Sequence, residues 1–207
     1  MTLTTQTYGE LKNAVEDWLR RTDLTDAQLS DVVLMFENHA NRVLRVRQME
    51  ASSSITTTSG AGTLPTDYLS WRTLTWGGDI NVELEYVHPH YLRAAYPNTD
   101  AGVPKWFTIE GSTITVRPVD DDNSYTLRSW QKIPDLNSQG AAGTNWLLSA
   151  HPDVYLSGSL YCAYKFLRDV EGATYYKALM DEGLAEIARL SEVTKAPTAA
   201  RPVGAVP

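Results

Sequence analysis

The stretch from Val103 to Lys132 limits the folds open to this chain more than any other. Apolar and polar residues alternate from Trp106 to Ile109, from Thr113 to Val116 and from Tyr125 to Trp130. Turn-forming residues separate these segments, and short alternating segments of this kind predict β-strands joined by turns. On both sides of the stretch the apolar residues recur about every 3.6 positions, which predicts helices. The sequence therefore predicts a β module set between helices at the two ends of the chain.

Two helices are predicted near the N-terminus. The first runs from about Thr7 to Arg21, and the second runs from about Thr25 to Val46. Each begins with a threonine that is followed three positions later by Glu or Gln, which is the capping-box pattern of a helix start. The short connection between them predicts an antiparallel helical hairpin. A cluster near the end of the second helix suits either the negative end of the helix dipole or a contact with a phosphate or a partner: Arg42, Arg45 and Arg47.

The residues after this hairpin predict further β-structure. The Ser/Thr/Gly-rich segment 51–62 is expected to form a β arm or a loop. A strand is expected around Trp71 to Trp76, followed by a turn and a second strand from Val82 to Tyr86. A short helix is expected to begin at Pro89, because proline is favoured in the first turn of a helix.

Two more helices are predicted near the C-terminus. A loop from Asp135 to Thr144 leads to a helix from Pro152 to about Val170 and to another from about Ala173 to Val193. Gly172 is expected to end the first of them as a C-cap, since glycine readily takes the left-handed conformation. Residues 196–207 contain three prolines and are expected to form an extended C-terminal tail.

The predicted fold class is α+β. The N- and C-terminal helix pairs are expected to form a four-helix bundle, with an inserted antiparallel β domain projecting from one end. The corresponding domains are a discontinuous helical bundle (1–48 and 145–195), a β domain (49–144) and the tail (196–207).

Composition excludes several classes of protein. The net charge of -7 argues against a general nucleic-acid binder, which needs a surplus of Lys and Arg. The single cysteine excludes an internal disulfide. No run of 18 apolar residues is present, so no transmembrane helix is expected, and the first residues lack the pattern of a secretory signal.

No motif predicts a reaction, a metal site or a cofactor. Cys162 lies on or near a predicted apolar helix stripe and is interpreted as a buried structural thiol. His88 and His90 flank a proline and fall short of the four ligands of a structural zinc site. The acidic run Asp120 to Asp122 lacks the ligand spacing of a calcium loop and is interpreted as a solvated turn. We therefore expect no catalytic residue, no metal and no cofactor.

Aromatic composition favours an interaction surface. The 11 Tyr and 6 Trp far outnumber the 3 Phe. Tyr and Trp suit surfaces that are half apolar and half wet, although a β module also favours them for its own packing. The candidate interface aromatics are Trp71, Trp76, Trp106 and Trp130. Such a surface would contact a protein partner or, as the alternative, would make the β module a carbohydrate-binding one.

A family resemblance points to the first of these readings. Short segments of characteristic residues follow the N-terminal helix pair in a fixed order. The segments are Leu64–Leu69, Pro104–Phe107, Gly111–Ile114, Val116–Pro118, Tyr125–Leu127 and Pro134, and Pro152–Asp153 begins the final helix pair. In this order the pattern resembles the phage head-to-tail adaptor (connector) family, and the resemblance extends over nearly all of residues 1–195.

The resemblance implies a structural protein of the virion, made in the host cytoplasm, with no enzymatic activity. It implies a homo-oligomeric ring of about twelve copies below the portal protein, closed by heterologous contacts. The tail nozzle or other tail components would bind the ring, and DNA would pass through it without sequence-specific recognition. It also implies that the C-terminal tail, with Pro197, Arg201 and Pro202, extends onto the portal.

Overall fold

The structure is a computed structural model that describes residues 6–77, 81–121 and 124–195, and these form six α-helices and two β-sheets. The helices are α1 (Tyr8–Leu19), α2 (Asp26–Val43), α3 (Pro89–Ala95), α4 (Trp146–Ala150), α5 (Pro152–Phe166) and α6 (Val170–Lys195). The strands are β1 (Glu50–Ile55), β2 (Ala61–Thr63), β3 (Tyr68–Gly77), β4 (Asn81–Glu83), β5 (Glu85–Tyr86), β6 (Trp106–Glu110), β7 (Thr113–Arg117) and β8 (Tyr125–Gln131). The predicted α+β class is confirmed.

The chain divides into two compact units. Among the described residues, the helical unit comprises 6–48 and 133–195, and the β unit lies within Met49–Lys132. Residues 133–144, which the sequence analysis assigned to the β domain, thus belong with the helices. Side chains of α2 hold them there, because the Ile133 amide donates to Asn41 Oδ1 at 2.8 Å and the Leu136 amide donates to Glu37 Oε1 at 3.2 Å.

Both predicted capping boxes are present. Thr7 Oγ1 accepts from the Glu10 amide at 3.4 Å, and the Glu10 carboxylate accepts from the Thr7 amide at 3.1 Å. Thr25 and Gln28 make the same exchange at 3.3 and 2.8 Å at the start of α2. These bonds satisfy amides that a helix leaves without partners in its first turn, which is why both helices begin where the sequence predicts.

Helix α5 is the central helix of the helical unit. Every residue from Val154 to Leu160 is buried, and α1, α2 and α6 all pack against this helix. A glycine permits the closest approach: a Cβ at Gly158 would lie 2.0 Å from the Phe36 ring of α2. The short helix α4, which directly precedes α5, was not predicted. Its start is capped by Asn145, whose Oδ1 accepts from the Leu148 amide at 2.9 Å.

The break between α5 and α6 differs from the prediction. Helix α5 ends at Phe166, and Arg168 takes the left-handed conformation with φ 59°. The prediction that Gly172 is the C-cap is wrong, since Gly172 lies in the first turn of α6 and donates to Asp169 Oδ1 at 3.0 Å. Glycine is required there for space, because a Cβ would lie 2.5 Å from the ring of Tyr164.

The two sheets of the β unit share one hydrophobic core. One sheet has the strand order β1-β8-β3-β4 and the other has the order β2-β7-β6-β5. Buried side chains of both sheets form a single cluster, which comprises Ile55, Leu64, Leu74, Leu84, Phe107, Ile114, Val116, Tyr125 and Leu127. Burial of this apolar surface is what holds the two sheets together.

Two features of the predicted β domain are corrected. Strands β6 and β7 form the expected hairpin, with Phe107 opposite Val116, but β8 crosses to the other sheet and lies between β1 and β3. Glu85 of β5 pairs with Trp106 of β6 in a parallel arrangement, so the domain is not purely antiparallel. Parallel neighbours need a long crossover, and the connection that contains α3 supplies it.

Candidate functional site

Histidine and acidic residues form no metal centre in the part of the chain that the structure describes, where no group of three or more candidate ligands occurs. His88 instead caps α3, and its Nδ1 accepts from the His90 amide at 3.3 Å. Cys162 is buried on α5, and burial raises the pKa of its thiol to about 11. A thiol with this pKa stays protonated at neutral pH and is a weak nucleophile.

The acidic run at 120–122 is not simply a solvated turn. Asp121 accepts from the amides of Ser59 (2.6 Å) and Gly60 (2.9 Å) and from the Thr57 hydroxyl (3.0 Å). These hydrogen bonds lower the pKa of the Asp121 carboxyl, and the bond from the Gly60 amide contributes most. Asp120 accepts from the indole N–H of Trp76 at 2.9 Å. The two carboxylates therefore tie neighbouring segments of the β unit together, while Asp122 lies outside the described residues.

A buried polar cluster fixes α5 against α2. The Tyr155 hydroxyl donates to Glu37 Oε1 at 2.6 Å and accepts from Asn145 Nδ2 at 3.0 Å. Burial raises the pKa of Glu37 to about 7 although the hydrogen bonds from the Tyr155 hydroxyl and the Leu136 amide oppose the shift, and the neighbouring Asp135 raises it further. Burial also raises the pKa of Tyr155. The cluster sets the relative positions of α2 and α5, which line a surface groove.

The basic groove lies between α2 and α5 and has a volume of about 500 Å³. Its lining includes Met35, His39, Arg42, Tyr161, Lys165 and Phe166, and no acidic residue. Met35 is 56% exposed and Phe166 is 52% exposed. Burial, and then the charge of Arg42, lower the pKa of His39, so the positive charge of the groove at neutral pH comes from Arg42 and Lys165. The nearby Asp181 is paired with Lys177.

The acidic groove lies between α1, α5 and α6 and has a volume of about 280 Å³. Its lining includes Trp18, Asp153, Tyr176, Leu179, Glu182 and Glu186, and no basic residue. Trp18 is 50% exposed and Leu179 is 41% exposed, although both stand among apolar residues that recur with the helical period in the sequences of α1 and α6. Periodicity identifies an apolar face and does not say whether another element covers it, which is why the sequence analysis missed both grooves.

The four candidate interface tryptophans do not share one face. Trp71 stacks on Tyr86 with ring centroids 5.2 Å apart at the margin of the inter-sheet core, and Trp76 packs against that core. Trp106 contacts Tyr96 on the opposite side of its sheet, and Trp130 lies under the guanidinium of Arg72. The residues carried over for portal docking, Pro197, Arg201 and Pro202, lie outside the described residues.

Among the described residues, Glu37, Asp120 and Asp121 accept structural hydrogen bonds, and one open apolar groove is lined by basic side chains while another is lined by acidic ones. No helix in the described ranges is both long and apolar enough to cross a membrane.

The family follows from comparison with known proteins. The family model described as SU10 adaptor protein matches residues 6–203, and the chain belongs to this family. No curated protein matches the chain. The resemblance to phage adaptors noted from the sequence is thereby confirmed, and membership indicates a structural adaptor role in a phage particle.

Proposed function

We propose that this chain is a head-to-tail adaptor that assembles as a ring between the portal protein and the tail components of a phage, around a passage for DNA. The observation that carries the proposal is the family match, which extends over both the helical unit and the β unit. A ring of about twelve copies would match the portal, and its contacts would be heterologous. The chain would be made in the host cytoplasm, would end in the virion, and would catalyse no reaction.

The rigid body of the proposed adaptor is a four-helix bundle of α1, α2, α5 and α6. The burial of α5 among the other three helices supports this arrangement. In the proposed domain organisation the N- and C-terminal segments form the bundle, the middle of the chain forms an inserted β domain, and residues 196–207 form an extended tail.

Portal binding is assigned to the C-terminal tail. By resemblance to the family, Pro197, Arg201 and Pro202 would lie on the portal. A tail that becomes ordered only on binding suits stepwise assembly, because the free energy of binding to the portal offsets the conformational entropy lost on ordering.

The DNA passage is proposed to be indifferent to sequence. A chain with a net charge of -7 lacks the surplus of cations that would hold phosphates, so a duplex could slide through the ring. Duplex retention by the assembled ring at physiological salt would contradict this assignment.

The aromatic residues of the β unit are assigned to contacts with a neighbouring copy or with the tail nozzle. Trp71 and Tyr86 are each 38% exposed and suit such half-wet surfaces. The alternative, a carbohydrate-binding β module, is the weaker reading because Trp71, Trp106 and Trp130 face different sides of the sheets. Glycan-array binding that is lost in Trp106→Ala or Trp130→Ala would reverse this preference.

The direct test mixes the purified chain with the portal protein of the same phage. We expect a complex that co-sediments and that shows a ring in negative-stain micrographs. A chain truncated after Lys195 should fold normally by circular dichroism and should fail to co-sediment. Absence of any complex with the full chain would refute the adaptor assignment, whereas binding by the truncated chain would refute only the role of the tail.

A further inference from the structure

We propose that the surface around the basic groove of one copy packs against the surface around the acidic groove of the next copy. This pair of surfaces would form the repeating contact of the ring. The inference rests on the proposed function and goes beyond it by assigning the contact to particular residues. The partner is a second copy of this chain.

The first support is the placement of the two grooves on one helix. Helix α5 contributes to both grooves: the acidic groove is lined by its residues Asp153, Val154, Leu156, Ser157 and Leu160, and the basic groove by Tyr161, Cys162, Lys165 and Phe166. At 100° per residue their mean directions differ by roughly 140° around α5. Surfaces on opposite sides of a rigid helix can each be occupied at once, which a head-to-tail contact requires.

The second support is charge complementarity. Arg42 and Lys165 line one groove, and Asp153, Glu182 and Glu186 line the other. None of these five has an ion-pair partner among residues 6–77, 81–121 and 124–195. Like charges in two grooves would repel two copies that meet basic to basic or acidic to acidic, so the charges favour the unlike pairing and with it a ring over an isolated dimer.

The third support is the apolar surface between these charges. Met35 and Phe166 in the basic groove, and Trp18 and Leu179 in the acidic groove, are each 41 to 56% exposed. Apolar and aromatic side chains surrounded by charged residues form the usual centre and rim of a protein interface. The basic groove is the roomier of the two, at about 500 against about 280 Å³, and can accept the Trp18 edge of the neighbouring copy.

The test is cross-linking of the chain assembled with its portal. In a Cys162→Ala background, Met35→Cys and Leu179→Cys are made singly and together, and the complexes are treated with a short bis-maleimide. The double variant should give a ladder of covalent multimers that extends to the full ring, and each single variant should stay monomeric. Dimers from either single variant would overturn the unlike pairing, and so would a double variant that forms the ring but stays monomeric on denaturing gels.

Charge reversal supplies an independent test of the contact between the two grooves. Arg42→Glu with Lys165→Glu, and separately Glu182→Lys with Glu186→Lys, should each raise the chain concentration needed for ring assembly on the order of tenfold or more. The chain that carries all four changes should regain assembly, since the charges have exchanged sides. Arg128→Glu with Lys132→Glu, in the β unit, is the matched control and should assemble normally.

The outcomes separate the two levels of the proposal. No assembly of the wild-type chain with portal overturns the proposed function and this inference together. Normal assembly that neither double reversal affects overturns the groove pairing alone.

Discussion

Replacement of Glu37 by Gln tests how the helical unit is held together. Glu37 is 3% exposed and accepts from the Tyr155 hydroxyl and the Leu136 amide. Burial raises its pKa from 4.5 to about 7, so ionisation of this carboxyl opposes folding. The substitution keeps an acceptor for both donors and removes the titration.

The sign and size of the effect follow from proton linkage. Because the folded-state pKa exceeds the unfolded value, the folded protein holds the proton more tightly, and the resulting stabilisation is lost as the pH rises through about 7. With pKa values of 4.5 and about 7, the free energy of unfolding should fall by about 2 kcal/mol between about pH 5.5 and about pH 8.5 through this one group.

The assay is urea unfolding of wild type and Glu37→Gln across this pH range, followed by circular dichroism at a wavelength that reports helices. Burial lowers the pKa of His39, so its titration changes stability with the opposite sign, but it does so in both proteins. The difference between the two unfolding free energies therefore isolates Glu37 and should change by about 2 kcal/mol in favour of the variant at high pH. Parallel profiles for the two proteins would refute the reasoning.

Three further predictions concern packing, a turn and a thiol. Gly158→Ala should destabilise the helical unit by about 1–3 kcal/mol in urea unfolding, because its Cβ meets the Phe36 ring, and Phe36→Leu in the same chain should recover part of the loss. Asp121→Ala should lower the unfolding temperature of the β unit in calorimetry more than Asp121→Asn does, since only the latter keeps an acceptor for the 57–60 turn, and equal effects would contradict this role. Cys162, with its raised pKa, should react with iodoacetamide far more slowly in the folded protein than in urea at neutral pH; rapid labelling of the folded chain by mass spectrometry would count against its burial.

Local sequence determined the starts of the helices and the family. The capping boxes at Thr7 and Thr25 involve residues three positions apart, so the pattern that predicts them also contains the atoms that form them. The short helix at Pro89 follows from the fixed φ of proline in the same local way. The order of short motifs along the chain was likewise enough for the adaptor resemblance that the family match confirms.

Tertiary structure alone decided which elements meet. The alternation of residues in β8 predicts a strand but does not predict which strands pair with it. The strand pairs with β1 and β3 instead of β7, and in that position Tyr125 and Leu127 are buried in the shared core. Gly172 is the residue type typical of a helix C-cap, yet the reason for glycine at this position is its close contact with the ring of Tyr164. The same limit applies to the grooves: Trp18 and Leu179 lie on apolar helix faces, and only the packing of α1, α5 and α6 leaves them exposed. Contacts between residues distant in the chain depend on how whole elements fill space, and no short sequence pattern contains that information.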